Sequence, residues 1–187
     1  MEKFKIIALY GMAGAGKDTI LNKIIEDYGE ELNLNPIVSC TTRPPREGEV
    51  DGVAYHFLSN EDFANKVLNG DMLEATEFRN WFYGTPIDSL FLDKVNIGVF
   101  NIAGIECLQG DSRLEIYPIF VTVSDKTRLI RQLNREENPD CHEICRRFFT
   151  DEQDFDATEI IPVLFLNNEN NNLHICIEAL ANLIKSI

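Results

Sequence analysis

Positive charge is scarce in this chain: 17 lysines and arginines stand against 31 aspartates and glutamates, a formal net charge of −14. That balance argues against general affinity for nucleic acid or an anionic membrane. Long apolar runs are also missing, and none approaches the ~20 residues of a membrane-spanning helix. Cysteine is sparse and odd in number, with five residues (Cys40, Cys107, Cys141, Cys145, Cys176) and no paired CxxC spacing of structural zinc. Thiols in this pattern, without a secretory leader, point to a reducing, cytoplasmic setting. The opening Met1 to Lys5 carries charge, but only a short apolar stretch follows it, so it reads as the edge of a first core strand. There are three histidines, and no Ser/His/Asp pattern reads as a catalytic triad. Internal repeats are absent, and 187 residues suffice for one sizeable core but are short for two.

What is present begins at once. Phe4 to Tyr10 is an apolar run, and Gly11-Met12-Ala13-Gly14-Ala15-Gly16-Lys17-Asp18-Thr19 follows directly. Strand, glycine-rich turn and helix in that order make a phosphate-binding loop. Gly11, Gly14 and Gly16 let the backbone curl so that successive N–H groups face phosphate oxygens, and the helix N-terminus adds its dipole. Lys17 reaches the outer phosphates. The Ser/Thr usual after the lysine is Asp18 here, with Thr19 one place on, so either side chain is a candidate for contact with a metal.

Periodicity predicts a helix over 17–28 with Ile20, Leu21, Ile24 and Ile25 on one face, then a short strand at 36–39 and another at 53–58. Ser59 caps a helix to about Leu68, and strand pieces follow at 72–78 and 81–83. A helix is expected over 88–94, a strand at 98–102, a short helix at 105–108 and a strand at 117–123. Ser124 opens a helix on which Arg128, Arg131 and Arg135 share a face, and a second arginine-bearing helix runs through 144–155. A strand at 160–166, a polar turn and a closing helix at 174–187 complete the chain. Alternating strands and helices predict an α/β core with a parallel sheet, into which the segment 36–87 is inserted.

Most arginines fall in two segments, Arg43 with Arg46, and Arg128 through Arg147. An acidic chain that gathers arginine this way is suited to holding a local polyanion, because the planar guanidinium matches phosphate. The first of these segments sits in a longer pattern, Val38-Ser39-Cys40-Thr41-Thr42-Arg43-Pro44-Pro45-Arg46-Glu47-Gly48-Glu49, then Gly52 and Tyr55-His56-Phe57. With Glu74 and Phe82-Tyr83-Gly84-Thr85, this resembles the nucleotide-binding signature of the guanylate kinase family, and the resemblance runs through nearly the whole chain.

The resemblance implies a P-loop three-layer core (1–35, 88–130 and 148–187), an inserted region for the nucleoside monophosphate (36–87) and a helical lid (131–147). It places Arg43, Arg46, Tyr55 and Tyr83 on the acceptor's phosphate, and Ser39, Glu74 and Thr85 around guanine. A carboxylate such as Glu74 suits a base that offers N1–H and an amino group. Lys17, Arg43, Arg135 and Arg147 are the implied catalytic residues. ATP with Mg2+ is held by Gly11, Gly14, Ala15, Gly16, Lys17, Asp18, Thr19, Arg131 and Asn167, and Asp18 and Thr19 are the metal candidates. The activity implied is transfer of a phosphoryl group from ATP to GMP or dGMP in a monomer or homodimer, with small-molecule partners only.

Three positions depart from the family pattern. Acidic residues usual at the end of one core strand are Asn101 and Ala103, the lid turn reads Arg135-Glu136-Glu137 in place of Arg-Gly, and Asp18 follows the lysine. These departures keep two alternatives open: a kinase for another (deoxy)nucleoside monophosphate or a sugar phosphate, and a non-catalytic module of guanylate-kinase type.

Overall fold

The computed structural model describes residues 2–46, 48–78, 80–135 and 137–187. Glu47 of the arginine-rich pattern and Glu136 of the lid turn lie outside the described residues. Strand β1 (Phe4–Tyr10) is the axis of the molecule, fully buried from Ile6 onward. Its period-two alternation feeds two cores. Ile7 and Leu9 pack with helix α1 (Lys17–Tyr28) on one side, while Ile6, Ala8 and Tyr10 face the other.

The parallel sheet runs β2 (Leu34–Pro36), β7 (Val95–Val99), β1, β8 (Leu114–Thr122), β9 (Leu164–Asn167). Because β2 and β7 are neighbours, the chain leaves the sheet after Pro36 and returns at Val95. In between it builds a second sheet in the order β4 (His56–Phe57), β3 (Cys40–Thr41), β6 (Trp81–Pro86), β5 (Met72–Phe78), flanked by α2 (Asn60–Leu68). Ser59 caps α2 by accepting from the Asp62 N–H. Helices α3 (Ile102–Gln109), α4 (Asp125–Leu133), α5 (Cys141–Ala157) and α6 (Leu173–Lys185) complete an α/β fold, α6 packing beside α1 in the first core.

Several elements differ from the sequence expectation. The strand expected at 53–58 shrinks to two residues because Val50 to Tyr55 form a tight turn closed by Gly52 N–H to Tyr55 O, 2.8 Å. The helix expected over 88–94 is only a single 3₁₀ turn at Ile87–Ser89. Asn96, fully buried, explains why: its side chain accepts from Phe91 N–H at 2.9 Å and donates to Phe91 O at 3.0 Å. Those bonds satisfy a loop backbone that a helix otherwise would. The strand expected at 98–102 ends at Val99, because Asn101 caps α3 by accepting from Gly104 N–H. The strand expected at 160–166 starts only at Leu164. Helix α4 stops at Leu133, so Arg135 lies beyond the helix and does not share its face with Arg128 and Arg131. No described helix is long and apolar enough to cross a membrane.

Candidate active site

The glycine loop joins β1 to α1 at the carboxyl end of the parallel sheet. Gly14 and Gly16 have φ of +82° and +91°, and a Cβ on Gly14 would lie 2.6 Å from Arg128 O, so only glycine fits this turn. Lys17 curls back over the loop and donates to Gly11 O at 2.8 Å and Met12 O at 3.2 Å. Burial lowers the Lys17 pKa, Asp18 and Asp151 push it up, and Arg135 pushes it down, for a net lowering.

The loop's carbonyls are held from the lid side. Arg131 donates to Gly14 O, Ala15 O and Asn168 O (2.8 Å for the last), and Asn168 donates to Ala15 O at 2.9 Å. A cleft of about 410 Å³ opens here between Gly16, Thr19, Arg131 and the turn 168–171. The asparagine facing it is Asn168, which is buried, rather than Asn167, which ends β9 exposed. Asn167, the position expected from sequence, is the last residue of β9 and directly precedes Asn168. Glu169 at the cleft edge accepts from Ser124 N–H and the Thr127 hydroxyl, which hold its carboxyl at about 2.

Arg43 and Arg46, expected from the sequence to hold the acceptor's phosphate, follow β3 of the second sheet. Glu49 grips Arg43 with one carboxylate oxygen on each terminal nitrogen, both at 3.0 Å, and accepts Arg46 N–H at 2.7 Å. Burial works against the charge on Arg43, but Glu49 and Tyr83 outweigh it and raise its pKa. Arg43 also lies 5.5 Å from the Tyr55 ring centre, and Tyr55 and Tyr83 meet edge to face. Burial, with Asp18 and Tyr83 adding negative potential, pushes the Tyr55 hydroxyl up to about 12. For Arg46, burial first and then Arg43, Arg135 and Arg147 lower the pKa, so these three charges lie within electrostatic reach of it. Glu49 offsets part of this positive charge from within the protein. Arg147 is meanwhile held by Glu143, one helical turn away, at 2.7 Å.

At the far end, Glu74 is 8% exposed and accepts the Thr85 hydroxyl at 2.8 Å, while its second carboxylate oxygen is buried without a partner. Burial pushes its pKa up to about 7 against those Thr85 bonds. Ser39 borders this sheet through its carbonyl, which accepts His56 N–H. Asn101 donates to Thr76 at 3.0 Å and caps α3, and its Oδ1 and the Glu74 carboxylate both lie against Gly104. Ala103 is exposed on α3.

The unpaired buried oxygen makes a stability prediction. The unfolded chain ionises Glu74 near the ordinary glutamate value, the folded one only near 7. Its contribution is therefore complete at low pH and lost as pH rises through about 7, where the buried charge costs on the order of 3 kcal/mol. Glu74→Gln should raise the thermal midpoint of the ligand-free protein at about pH 8 and leave it unchanged near pH 4. Thermal melts across that range check the sign, and equal curves for both proteins would contradict it.

Asp18 and Thr19 diverge. Thr19 lines the cleft with Gly16, whereas Asp18 bears electrostatically on Lys17 and Tyr55. Among the described residues no group of three or more His, Cys, Asp or Glu could hold a metal alone. A single exposed carboxylate fits a Mg2+ ion that takes most of its ligands from water and phosphates. Two groups escaped the sequence reading, Asn168 and the buried pair Arg128 with Asp151. Asp151 lies four residues after Arg147, and that helical spacing was the available signal.

A family model described as Guanylate kinase matches residues 3–187. Among proteins of known name, the chain is 31% identical over 183 residues to a guanylate kinase of Synechococcus elongatus, covering 94% of this chain and 96% of that one. It is 29% identical over 168 residues to a guanylate kinase of Campylobacter jejuni, covering 88% and 81%. The crystal structure of guanylate kinase from Anaplasma phagocytophilum shares the fold, with a TM-score of 0.71 at 24% identity over 100% of this chain and 88% of that chain.

Proposed function

The chain belongs to the guanylate kinase family, and on that premise we propose that it transfers the γ-phosphoryl group of ATP to GMP or dGMP. The observation that carries the acceptor reading is Glu74, a buried carboxylate with one oxygen on Thr85 and the other without a partner. A guanine ring offers N1–H and an amino group to that oxygen, where adenine offers an acceptor at N1. Thr85 holds Glu74, and Ser39 immediately precedes β3, whose Cys40 pairs with Gly84 beside Thr85.

The acceptor's phosphate lies among Arg43, Arg46, Tyr55 and Tyr83, and its free oxygen attacks the γ-phosphorus in line. That oxygen forms the new P–O bond as the bond to ADP breaks, giving ADP and GDP. No strong general base is required, because the attacking phosphate is already anionic. What the protein supplies is position and charge. The loop's N–H groups hold the donor phosphates and Lys17 neutralises the outer ones. Arg135 and Arg147 approach the acceptor arginines from the lid, and Arg131 and Asn168 set the loop beside the cleft that receives the donor's nucleoside. Asp18 and Thr19 are the side chains that would hold Mg2+, which would supply further neutralisation of the phosphates when bound, and the exposed carboxylate of Asp18 suits it best. The reading keeps the chain in the cytoplasm as a monomer or homodimer, with the domain bounds 36–87 and 131–147 as its moving parts.

Steady-state competition among GMP, dGMP, AMP and dTMP with ATP tests this. GMP and dGMP should lead in kcat/KM. Equal turnover of AMP would refute the role of Glu74, and no turnover of any monophosphate would favour a non-catalytic module or another acceptor.

A further inference from the structure

A buried ion pair sits where the lid meets the phosphate loop, and nothing in the transfer chemistry above uses it. Asp151 on α5 is 5% exposed, and one carboxylate oxygen accepts the Ala13 N–H at 2.7 Å across a chain separation of 138 residues. Arg128 on α4 is 1% exposed and stands 3.8 Å from that oxygen. Its other nitrogens reach Asp125 at 2.9 Å and Glu152 at 3.5 Å, and the guanidinium lies 3.7 Å over the Phe148 ring. A buried pair of this kind seldom stabilises a fold more than apolar residues of the same size. What it does supply is direction. A short, charge-assisted bond to one backbone N–H sets the height and rotation of α5 against the loop.

We propose that Asp151 is a positioning residue that registers helix α5, and with it Arg147, against the phosphate loop. Arg147 stands one turn earlier on the same helix face, about 6 Å along the axis, so a shift of α5 at Asp151 is carried to Arg147 nearly unchanged. Arg147 already lies close enough to Arg46 to be felt there. The loop end of the same link is also part of the site, since Asp151 acts on Lys17. Arg128 neutralises the carboxylate and fixes α4 in the same seam, so both lid helices are tied to one peptide of the loop. The proposal rests on the reading of Arg147 as an arginine of the transfer site.

The test is a set of full-length variants assayed for kcat, for KM of ATP and GMP, and for thermal midpoint. Asp151→Ala should lower kcat by about 10- to 100-fold, the scale of a 1 Å misplacement, with the KM for GMP nearly unchanged. Asp151→Asn keeps an oxygen for Ala13 N–H and should retain most of kcat. Because Asp151→Ala alone takes one of three carboxylates away from the buried Arg128, whose other two are Asp125 and Glu152, Arg128→Leu with Asp151→Ala should recover the thermal midpoint but not kcat. In an Arg147→Ala background, Asp151→Ala should lower kcat no further. Recovery of kcat together with stability in the double variant, or an undiminished loss in the Arg147→Ala background, overturns the positioning role. Full activity of Arg147→Ala by itself instead overturns the reading of Arg147 on which the proposal stands.

Discussion

Lys17→Ala abolishes most turnover, with kcat for GMP and ATP falling by on the order of 10²–10³-fold, while the fold survives. The ammonium is held over the loop by Gly11 O and Met12 O, so it is already in place before the nucleotide arrives and spends no reorganisation during transfer. Phosphoryl transfer piles negative charge onto the outer phosphate oxygens, and a fixed cation in a partly enclosed loop is worth far more there than in water. Stability tells the other half. Burial disfavours the charged form of Lys17, and its removal strips no apolar residue from either core. The thermal midpoint should therefore stay near the wild-type value or rise. A coupled assay over ATP concentration, alongside a melt, checks both. Near-wild-type kcat in Lys17→Ala would mean that this loop is not the transfer site.

Glu74→Ala should collapse base selection. The loss expected in kcat/KM for GMP is about 10²–10³-fold, within the range seen when a site built to pair with a polar group loses that pairing. AMP, which gains nothing from Glu74, should change by less than about tenfold. The effect rests on this one carboxylate because, among the described residues, no second acid acts on it: Asn101 is committed to Thr76 and Gly104, and Ala103 is exposed. The same geometry makes binding depend on pH. With its carboxyl at about 7, Glu74 is part protonated in neutral solution, and the ionised form is the one that accepts from guanine. The KM for GMP should thus fall as pH rises from about 6 to about 8, while Glu74→Ala shows no such trend. Competition kinetics at the two pH values decide it. An unchanged GMP to AMP ratio in the variant would remove Glu74 from base recognition.

The parts of this protein that were legible in the sequence are those whose cause is local. Phe4 to Thr19 names its own conformation, since apolar alternation, glycines at positive φ and a lysine occupy consecutive positions. Ser59 and Ser124 signalled their helices through the caps they form. Where the cause lies elsewhere in the chain, the reading slipped. Residues 88–94 carry a helical pattern, yet Asn96 draws Phe91 into a loop and ties it to Lys5 on β1. Asn167 and Asn168 are the same residue type side by side, and only the pairing of β9 with β8 decides which faces the cleft.

By itself the sequence determined the class of fold and the strand, glycine turn and helix that open it, because each of these follows from neighbours in the chain. The tertiary structure alone decided how those residues act together. Glu49 holds Arg43 before any substrate arrives, Glu143 holds Arg147, and Glu74 is left with one oxygen unpaired. Arg128 could be read as one more arginine on a solvated helix, until Asp151 and Phe148 close over it. Burial and pairing across long chain separations depend on which surfaces the packed sheets bring together. The same carboxylate is a solvated charge in one place and a buried, half-paired group or a structural tie in another, because only its surroundings set the cost of its charge.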